Sequence, residues 1–439
     1  MKNLIKVSRE VYDFPFEVSL PEECSERIFI PSFSVECQHY YFLVDFSKCK
    51  ITCWSINLKQ IEEDLKARIE NADKEVVPWN QELDRFLQAI YFAHSAKYYD
   101  GKIYVSFIDG NFILCLNVDD DNYELIYDKE NEGLNKIYSS TNMLFDDEIY
   151  FTRWRIEDSF QHVKNYDIPV NLEIGKYSLN TKKFDVFDTF EGPDDIHTTF
   201  ITRDKENLII VEMTQDPNIR YPKPGEEYTD EDMVKILNGG LRNSDLITYN
   251  FKSGKYHKLS IPNGPAHIEF DLDDDNIYYL SSHNLSTNND KLCAYGASRI
   301  DKVKVEDGKS IIIDSYEEED FYRIPSHKLV KYNGKKLIVC PVFPNRIHIV
   351  DADTMQIYKK IQIGKTKASV DFSKGPFNYP ASMKDKTPYT IYPVQGTSYL
   401  YLISLWNVTI YDFEKETKIA TIGYNFDKPL IAMGHASKY

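Results

Sequence analysis

The stretch Gly264-Pro265-Ala266-His267-Ile268-Glu269-Phe270, followed by residues 271–284 with the sequence DLDDDNIYYLSSHN, decides the fold. It reads as a short strand, an acidic tight turn and a second strand. The same order recurs along the chain in repeats of about 40–60 residues, each with four strand-like segments. Such a period is typical of the four-stranded blades of a β-propeller.

The two ends of the chain complete one further repeat. Six full repeats run from residue 91 to residue 424, and residues 27–58 supply three more strands. The tail MGHASKY at residues 433–439 is similar to FAHSAKY at residues 92–98, which begins a repeat. We therefore expect an all-β fold, a seven-bladed β-propeller closed by the C-terminal strand, which completes the N-terminal blade. A pair of β-sandwiches is the alternative, but it explains neither the period nor the complementary ends.

Four longer insertions interrupt the repeats within the single domain expected for residues 1–439. They are residues 56–87, 155–170, 215–244 and 365–388. The first has Ile and Leu at helical spacing between charges, which predicts a helix, and the third contains a short helical segment. All four fall on the face where the innermost strands would begin, which favours a lid over a site. Loops that merely plug the channel are the alternative.

Composition and charge argue against several kinds of partner. The net charge is −17, which repels nucleic acid and anionic membranes. The seven cysteines include no CxxC pair, the N-terminus lacks a signal-peptide pattern, and no apolar run approaches the length of a membrane span. We expect a cytoplasmic chain with reduced cysteines that binds neither nucleic acid nor membranes.

Residues 263–271, together with NIYYLSSHN, resemble a blade of the lactonase-like (YVTN) propellers, in which GP-x-H precedes the innermost strand. This resemblance covers the sequence of one blade, and in the other blades only the spacing of the strands is similar. It implies the propeller fold. A second similarity is one of arrangement. Carotenoid-cleaving oxygenases are seven-bladed propellers whose iron is held by four histidines from different blades. Selenium-binding protein/methanethiol oxidase and nitrous oxide reductase also use His-rich metal sites in propellers. None of their local sequence signatures is present here.

Histidine occupies the same slot, near the start of the innermost strand, in five of the seven repeats. The five are half of the ten histidines in the chain: His94, His197, His267, His327 and His435. The third repeat offers Thr141 or Asn142 at this slot, and the seventh offers Tyr389 or Thr390. Innermost strands begin at one mouth of a propeller channel, so the five imidazoles are expected to converge on a metal ion.

An all-nitrogen ligand set fits a transition metal, iron or copper ahead of zinc, better than Mg²⁺ or Ca²⁺, which prefer oxygen. Four ligands with one supporting histidine, or three ligands with open positions, are both compatible with the pattern. Two other interpretations stay open: histidines that hydrogen-bond within their own blades, and a metal-free acid/base cluster. Of the five other histidines, His39, His257 and His348 lie in outer strand positions and are expected to be ordinary structural residues.

Several other residues are candidates for the same mouth. Glu269 and Tyr389 are predicted to be catalytic, Glu269 as a base or as a carboxylate that orients an imidazole. Glu212 is a second carboxylate that could act in either way. The candidates for substrate binding end second strands of their repeats: Arg153, Trp154, Arg155 and His283. The arginines suit an anionic group, although ordinary salt bridges explain them equally well.

These observations predict a metal-dependent enzyme of the oxidoreductase or oxygenase kind, acting on a small molecule or a peptide. One alternative is a lactonase-like hydrolase or lyase in which a histidine and Glu269 are acid and base. The other alternative is a propeller that serves as an interaction scaffold and carries no chemistry.

Overall fold

The computed structural model describes most of the strands of the predicted repeats. The described residues are 5–14, 19–33, 38–61, 63–64, 67, 92–108, 110–131, 133–139, 141–158, 168–192, 196–212, 244–261, 265–283, 286–288, 291–294, 297–317, 326–342, 346–363, 390–404, 407–424 and 437–438. The chain divides into two compact units. Unit 1 contains residues 1–16, 25–201 and 426–439, and unit 2 contains residues 17–24 and 202–425.

The described residues are almost entirely β-structure, as Val, Ile, Tyr and Phe in alternating patterns predict. The strands of unit 1 are β1 Lys6–Asp13, β2 Arg27–Phe33, β3 Gln38–Asp45, β4 Lys50–Asn57, β5 Phe92–Tyr99, β6 Lys102–Ile108, β7 Ile113–Asn117, β8 Tyr123–Ile126, β9 Lys136–Tyr138, β10 Thr141–Phe145, β11 Glu148–Arg155, β12 Val170–Ser178, β13 Phe184–Gly192, β14 Ile196–Ile201 and, at the end of the chain, β32 Ser437–Lys438.

Unit 2 contains the remaining strands. They are β15 Asn207–Glu212, β16 Ser244–Asn250, β17 Lys255–Ile261, β18 Pro265–Phe270, β19 Ile277–His283, β20 Ser286–Asn288, β21 Lys291–Ala294, β22 Ala297–Glu306, β23 Lys309–Glu317, β24 Lys328–Tyr332, β25 Lys335–Val342, β26 Arg346–Asp351, β27 Gln356–Gln362, β28 Thr390–Pro393, β29 Tyr399–Ile403, β30 Asn407–Asp412 and β31 Thr417–Gly423.

Within each unit the strands form mainly antiparallel sheets, and most strands that follow one another in the chain are hydrogen-bonded neighbours. In unit 1 these are β5-β6-β7-β8, β10-β11-β12-β13 and β1-β4-β3-β2-β32. In unit 2 they include β18-β19-β22-β23, β24-β25-β26-β27 and β28-β29-β30-β31, and β20 and β21 form a separate hairpin. This order is that of propeller blades, which confirms the prediction of an all-β protein of the β-propeller type.

Apolar faces of successive sheets pack against each other within each unit. In unit 1, Ile113 and Cys115 of one sheet share a core cluster with Ile149 and Phe151 of the next. In unit 2, the sheet of β24–β27 contributes Val339 to a cluster with β28–β31. Both faces of these strands are therefore buried, which explains their nearly continuous apolar sequences.

The sequence left the position of the first strand open, and the structure places this strand at the edge of a sheet. β1 pairs antiparallel with β4 along its whole length, from Lys6 opposite Asn57 to Asp13 opposite Lys50. It is the outermost strand of its sheet, and its residues are alternately half-buried and exposed. A lone amphipathic segment before the repeats carries no signal for which sheet edge it will cover.

The hairpins between third and fourth strands share one turn chemistry. In five sheets the last residue of the third strand accepts a hydrogen bond from the backbone N–H three residues later: Asp45, Ser178, Asn250, Asp351 and Asp412. The residue after that donor has a left-handed backbone in every case: Cys49, Lys182, Gly254, Met355 and Glu416. Short polar side chains close such turns by bonding to their own backbone.

Removal of one of these caps is expected to destabilise the protein. Asp412 is buried and accepts hydrogen bonds from the Ser398 hydroxyl and from the N–H groups of Glu414 and Lys415. Asp412→Ala should lower the free energy of unfolding by about 1–3 kcal/mol in urea denaturation, because three donors lose their acceptor. Lys418→Ala, an exposed position on the same hairpin, is the control and should change it by less than about 0.5 kcal/mol. Equal effects of the two substitutions would contradict this role.

The predicted insertions are described only at their edges. Residues 59–61, within the insertion 56–87, and residues 156–158, within 155–170, are helical. Of the insertion 215–244 only residue 244 is described, and residues 365–388 lie outside the described residues. Their role as a lid stays a prediction. The helical segments seen in the described part of the chain are all too short or too polar to cross a membrane.

Candidate functional site

The structure brings two of the predicted ligands together in unit 1. His94 lies in β5 and His197 lies in β14, and their ring centroids are 4.5 Å apart with the planes at 77°. His94 is buried and His197 is half-buried. Two imidazoles bound side by side to one ion at metal–nitrogen distances of about 2.0–2.1 Å place their centroids about 4–5 Å apart. The spacing of this pair therefore fits two ligands of a single metal ion.

A β-bulge accompanies histidine in two of the innermost strands. The pairing of β5 with β6 passes from Ala93 to Ser95, so that His94 is the extra residue of the bulge. In unit 2, the pairing of β18 with β19 passes from Pro265 to His267, with the extra residue immediately before the histidine. Bulges re-aim side chains and are frequent beside functional sites.

The slot without a histidine in the third repeat lies beside the pair. β10 runs parallel to β14, with Thr141 opposite Thr198. The Oγ1 atom of Thr141 lies 2.9 Å from Nδ1 of His94. Three successive slots of the predicted register, at His94, Thr141 and His197, thus meet at one place in unit 1.

A network of buried hydroxyl groups supports this place. Asn142 accepts a hydrogen bond from Ser139 at 2.8 Å and donates one to Ser106 at 3.1 Å. The hydroxyl of Thr199 lies 3.1 Å from that of Ser139 and donates to that of Thr152 at 2.8 Å. All five side chains are at least 95 % buried. Satisfied networks of this kind rigidify the strands that carry them, here the innermost strands β10 and β14 and the second strands β6 and β11.

Although His197 as a whole residue is half-buried, its ring atom Nε2 is buried, and this burial keeps the imidazole neutral. Desolvation lowers the pKa of its imidazole to about 4, because the charged form is poorly solvated in the interior. At neutral pH the ring therefore carries one N–H and one lone pair, which is the form that binds a metal ion.

His327, in unit 2, is fixed by its other nitrogen. It is only 2 % exposed, and its Nε2–H donates to the carbonyl oxygen of Tyr279 at 3.0 Å. Burial lowers its pKa to about 4, outweighing the neighbouring Glu269 carboxylate, which raises it. Because a carbonyl can only accept, Nδ1 carries the lone pair, and it has no hydrogen-bond partner among the described residues. A metal would have to bind His327 through Nδ1.

His267 and Glu269 lie two residues apart on β18. His267 is half-buried, and its backbone N–H donates to the hydroxyl of Ser281 at 3.3 Å. Glu269 forms an ion pair with Lys328 at 2.5 Å, and the ammonium of Lys328 lies 5.2 Å from the centre of the Tyr392 ring. Burial lowers the pKa of Lys328, but Glu269 and Tyr392 outweigh it and raise the pKa. The carboxylate of Glu269 thus has a salt-bridge partner, and its catalytic role stays a prediction.

Arg153 is a buried residue of β11, in the sheet formed by β10, β11, β12 and β13. Its guanidinium bonds to Glu173 at 2.8 Å and to Asp128 at 3.4 Å, and the ring of Phe184 is 5.0 Å away. Glu173 also accepts from the buried ammonium of Lys136 at 2.6 Å. This cluster of two cations and two carboxylates was not foreseen from the sequence, because β9, which carries Lys136, has only three residues and therefore no strand pattern of its own. The neighbouring Trp154 is buried and Arg155 is exposed, and substrate binding by all three stays a prediction.

Three of the predicted site residues cannot be placed. His435 and Tyr389 lie outside the described residues. His283 is the last residue of β19, and its side chain is outside the described part. Unit 1 thus shows the His94–His197 pair, unit 2 contains His267 and His327, and the convergence of all five histidines stays a prediction. Considering only the side chains that the structure describes, no group of three or more His, Cys, Asp or Glu could hold a metal ion.

Comparisons with known proteins give no family. No family model matches the chain, and no curated protein matches it. Among the solved structures that match is the dihydro-heme d1 dehydrogenase NirN in complex with DHE, with a TM-score of 0.46 and 9 % sequence identity. The match covers 97 % of this chain and 77 % of that one. A similarity this low says nothing about function.

Proposed function

We propose that this chain is a seven-bladed β-propeller enzyme that holds iron or copper through histidines of its innermost strands. Seven sets of four strands follow from the chain order when β1, β9 and the β20–β21 hairpin are set aside and β32 is added to β2, β3 and β4. The pairing of Ile28 with Lys438 and of Phe29 with Ser437, between β2 and β32, supports closure by the C-terminal strand. We also propose that its blades are of the type found in the lactonase-like (YVTN) propellers.

The observation that carries the proposal is the contact between His94 and His197. Their centroids, 4.5 Å apart, fit neighbouring ligands of one ion, and His197 is neutral because it is buried. We assign His267, His327 and His435 as the further candidate ligands. Bound iron or copper would supply redox chemistry toward dioxygen or a small substrate. The protein contributes neutral imidazoles, a buried hydroxyl network that holds the strands, and exclusion of water.

The substrate is proposed to be a small molecule or a peptide, in a cytoplasmic setting. The acidic net charge of −17 does not suit nucleic acid or anionic lipid. Arg155, which is exposed at the end of β11, is the residue we propose for an anionic substrate group. Arg153, Trp154 and His283 complete that proposed group, with Glu269 and Tyr389 as the proposed catalytic residues.

Metal analysis tests this function. Untagged protein reconstituted anaerobically with Fe²⁺ or Cu²⁺ is expected to retain roughly one equivalent of metal after desalting. His197→Ala should lose it, because one of two adjacent ligands is gone. His257→Ala is the matched control, since His257 lies on the outer strand β17, and it should retain the metal. Wild-type protein that retains no metal, or equal retention by both variants, would contradict the proposal.

A second function is favoured by Glu212, at the end of β15. This carboxyl is 96 % buried, and desolvation raises its pKa to about 7 although Lys258 lowers it. Carboxyls with a pKa near the working pH are suited to general acid/base catalysis, as the hydrolase or lyase alternative requires. A metal-free protein whose hydrolytic activity is lost in Glu212→Gln would favour this alternative, whereas unchanged activity would exclude Glu212 as acid or base.

A further inference from the structure

Thr141 occupies the slot that holds histidine in the neighbouring repeats. Its side chain is 92 % buried on β10, and its hydroxyl oxygen lies 2.9 Å from Nδ1 of His94. A neutral imidazole has one N–H and one lone pair, and the hydrogen bond made by one nitrogen decides which nitrogen remains for a metal. The Thr141 hydroxyl is therefore in the position from which the tautomer of His94 is selected.

His94 lies at an irregular point of its strand. It is the extra residue of the bulge in the pairing of β5 with β6, where a strand bends. Thr141, in contrast, lies where β10 is paired in parallel with β14, opposite Thr198. The threonine is thus held by two strands, and its hydroxyl connects the bulged histidine to that rigid part of unit 1.

We propose that Thr141 is a positioning residue whose hydroxyl accepts the Nδ1–H of His94, which leaves Nε2 of His94 to bind the metal. This inference rests on the proposed metal site. It also explains the missing histidine of the third repeat, because a sixth imidazole at this slot would take the place of the hydroxyl that orients His94. His327 has the opposite arrangement, in which Nε2–H is bound to a carbonyl.

The tautomer of His94 in metal-free protein tests the inference without any activity. In ¹⁵N-histidine-labelled protein, NMR should show His94 protonated at Nδ1 and not at Nε2. Thr141→Val, which keeps the shape and removes the hydroxyl, should shift His94 toward the Nε2–H form. Thr141→Ser should restore the wild-type tautomer. Wild-type His94 protonated at Nε2, or a tautomer that is the same in the valine variant, overturns the inference.

Metal affinity provides the second measurement. With Zn²⁺ as the probe, Thr141→Val should weaken binding roughly 10–100-fold, as loss of the partner of a ligating imidazole does, and Thr141→Ser should weaken it much less. Thr248→Val is the matched control. It removes a buried hydroxyl on β16 that bonds to Ser310 and lies outside the network around His94, so it should leave the tautomer and the affinity unchanged.

The two proposals fail in different ways. A wild-type protein that binds no metal, but whose His94 tautomer responds to Thr141→Val, overturns the metal site and supports the positioning contact. A protein whose metal affinity is equal in wild type and Thr141→Val overturns the positioning role and leaves the metal site standing. If the valine variant does not fold, the tautomer of wild-type His94 and that of Thr141→Ser decide the question.

Discussion

Glu173→Gln is expected to lower the free energy of unfolding by about 3–5 kcal/mol, because it leaves buried cations without their shared carboxylate. Glu173 accepts from Lys136 at 2.6 Å and from Arg153 at 2.8 Å, and both cations are about 97 % buried. Glutamine has the same shape but no charge, so the decrease in the free energy of unfolding measures the interaction of the Glu173 charge with the two cations. Asp128, 3.4 Å from Arg153, is the one carboxylate that remains in this cluster. Urea denaturation at pH 7 measures the change.

The control is an arginine–carboxylate pair at the surface. Glu317, whose side chain is 60 % exposed, pairs with Arg299 at 2.9 Å, and Glu317→Gln should cost less than about 1 kcal/mol. Similar losses in both variants would show that the buried Glu173 cluster stabilises the protein no more than a surface ion pair does.

The dependence of stability on pH gives a further check on Glu173. Burial raises the pKa of Glu173, but Lys136 and Arg153 outweigh it and lower the pKa. Its stabilisation is therefore complete above the unfolded-state pKa and disappears as the pH falls through the lower, folded-state value.

Glu212→Gln is expected to stabilise the protein above pH 7. The folded-state pKa of Glu212 is raised from 4.5 to about 7, chiefly by desolvation. In this case the folded state binds the proton more tightly than the unfolded state, so stability falls as the pH rises from about 4.5 to about 7. Glutamine removes this loss. The variant should exceed wild type by about 3 kcal/mol at pH 8 and match it near pH 4.

Asp245→Asn separates this effect from a general change of charge. Asp245 lies 3.3 Å from the same lysine, Lys258, which is 3.9 Å from Glu212. It is more exposed than Glu212, and its substitution should change stability by less than about 1 kcal/mol at either pH. A difference between wild type and Glu212→Gln that does not depend on pH would contradict a raised pKa, because neutral glutamine then acts through packing alone.

Much of the strand pattern could be predicted from the chain alone. RIFIPSF and KIYVSFI have the sequence pattern of strands and form β2 and β6 with the same bounds, since alternating β-branched and aromatic residues bounded by turn residues leave little ambiguity. Other features were missed. β9 is three residues long, which is too short for a recognisable strand pattern. The bulges at His94 and before His267 depend on the partner strand, so no local sequence pattern predicts them.

The candidate site divides in the same way. The register that puts His94 and His197 at equivalent positions is a property of the repeat and was read from the sequence. The position of the Thr141 hydroxyl beside His94 depends on how β10 lies next to β5, a strand of another sheet, and no sequence pattern shows this. Arg153 shows the limit most clearly: the sequence left a substrate group and an ordinary salt bridge equally open, and only the structure shows that its guanidinium bonds to Glu173 and Asp128.

The sequence by itself determined that the chain forms four-stranded antiparallel repeats and that histidine recurs at one slot of the innermost strand, because strand periodicity and turn chemistry are local properties. Only the tertiary structure decided which residues of other strands contact the histidines at those slots. Contacts between the innermost strands of different repeats join residues far apart in the chain, such as His94 and His197 at 4.5 Å. Protonation depends on them too: burial by distant strands makes His197 neutral and raises the pKa of Glu212 to about 7.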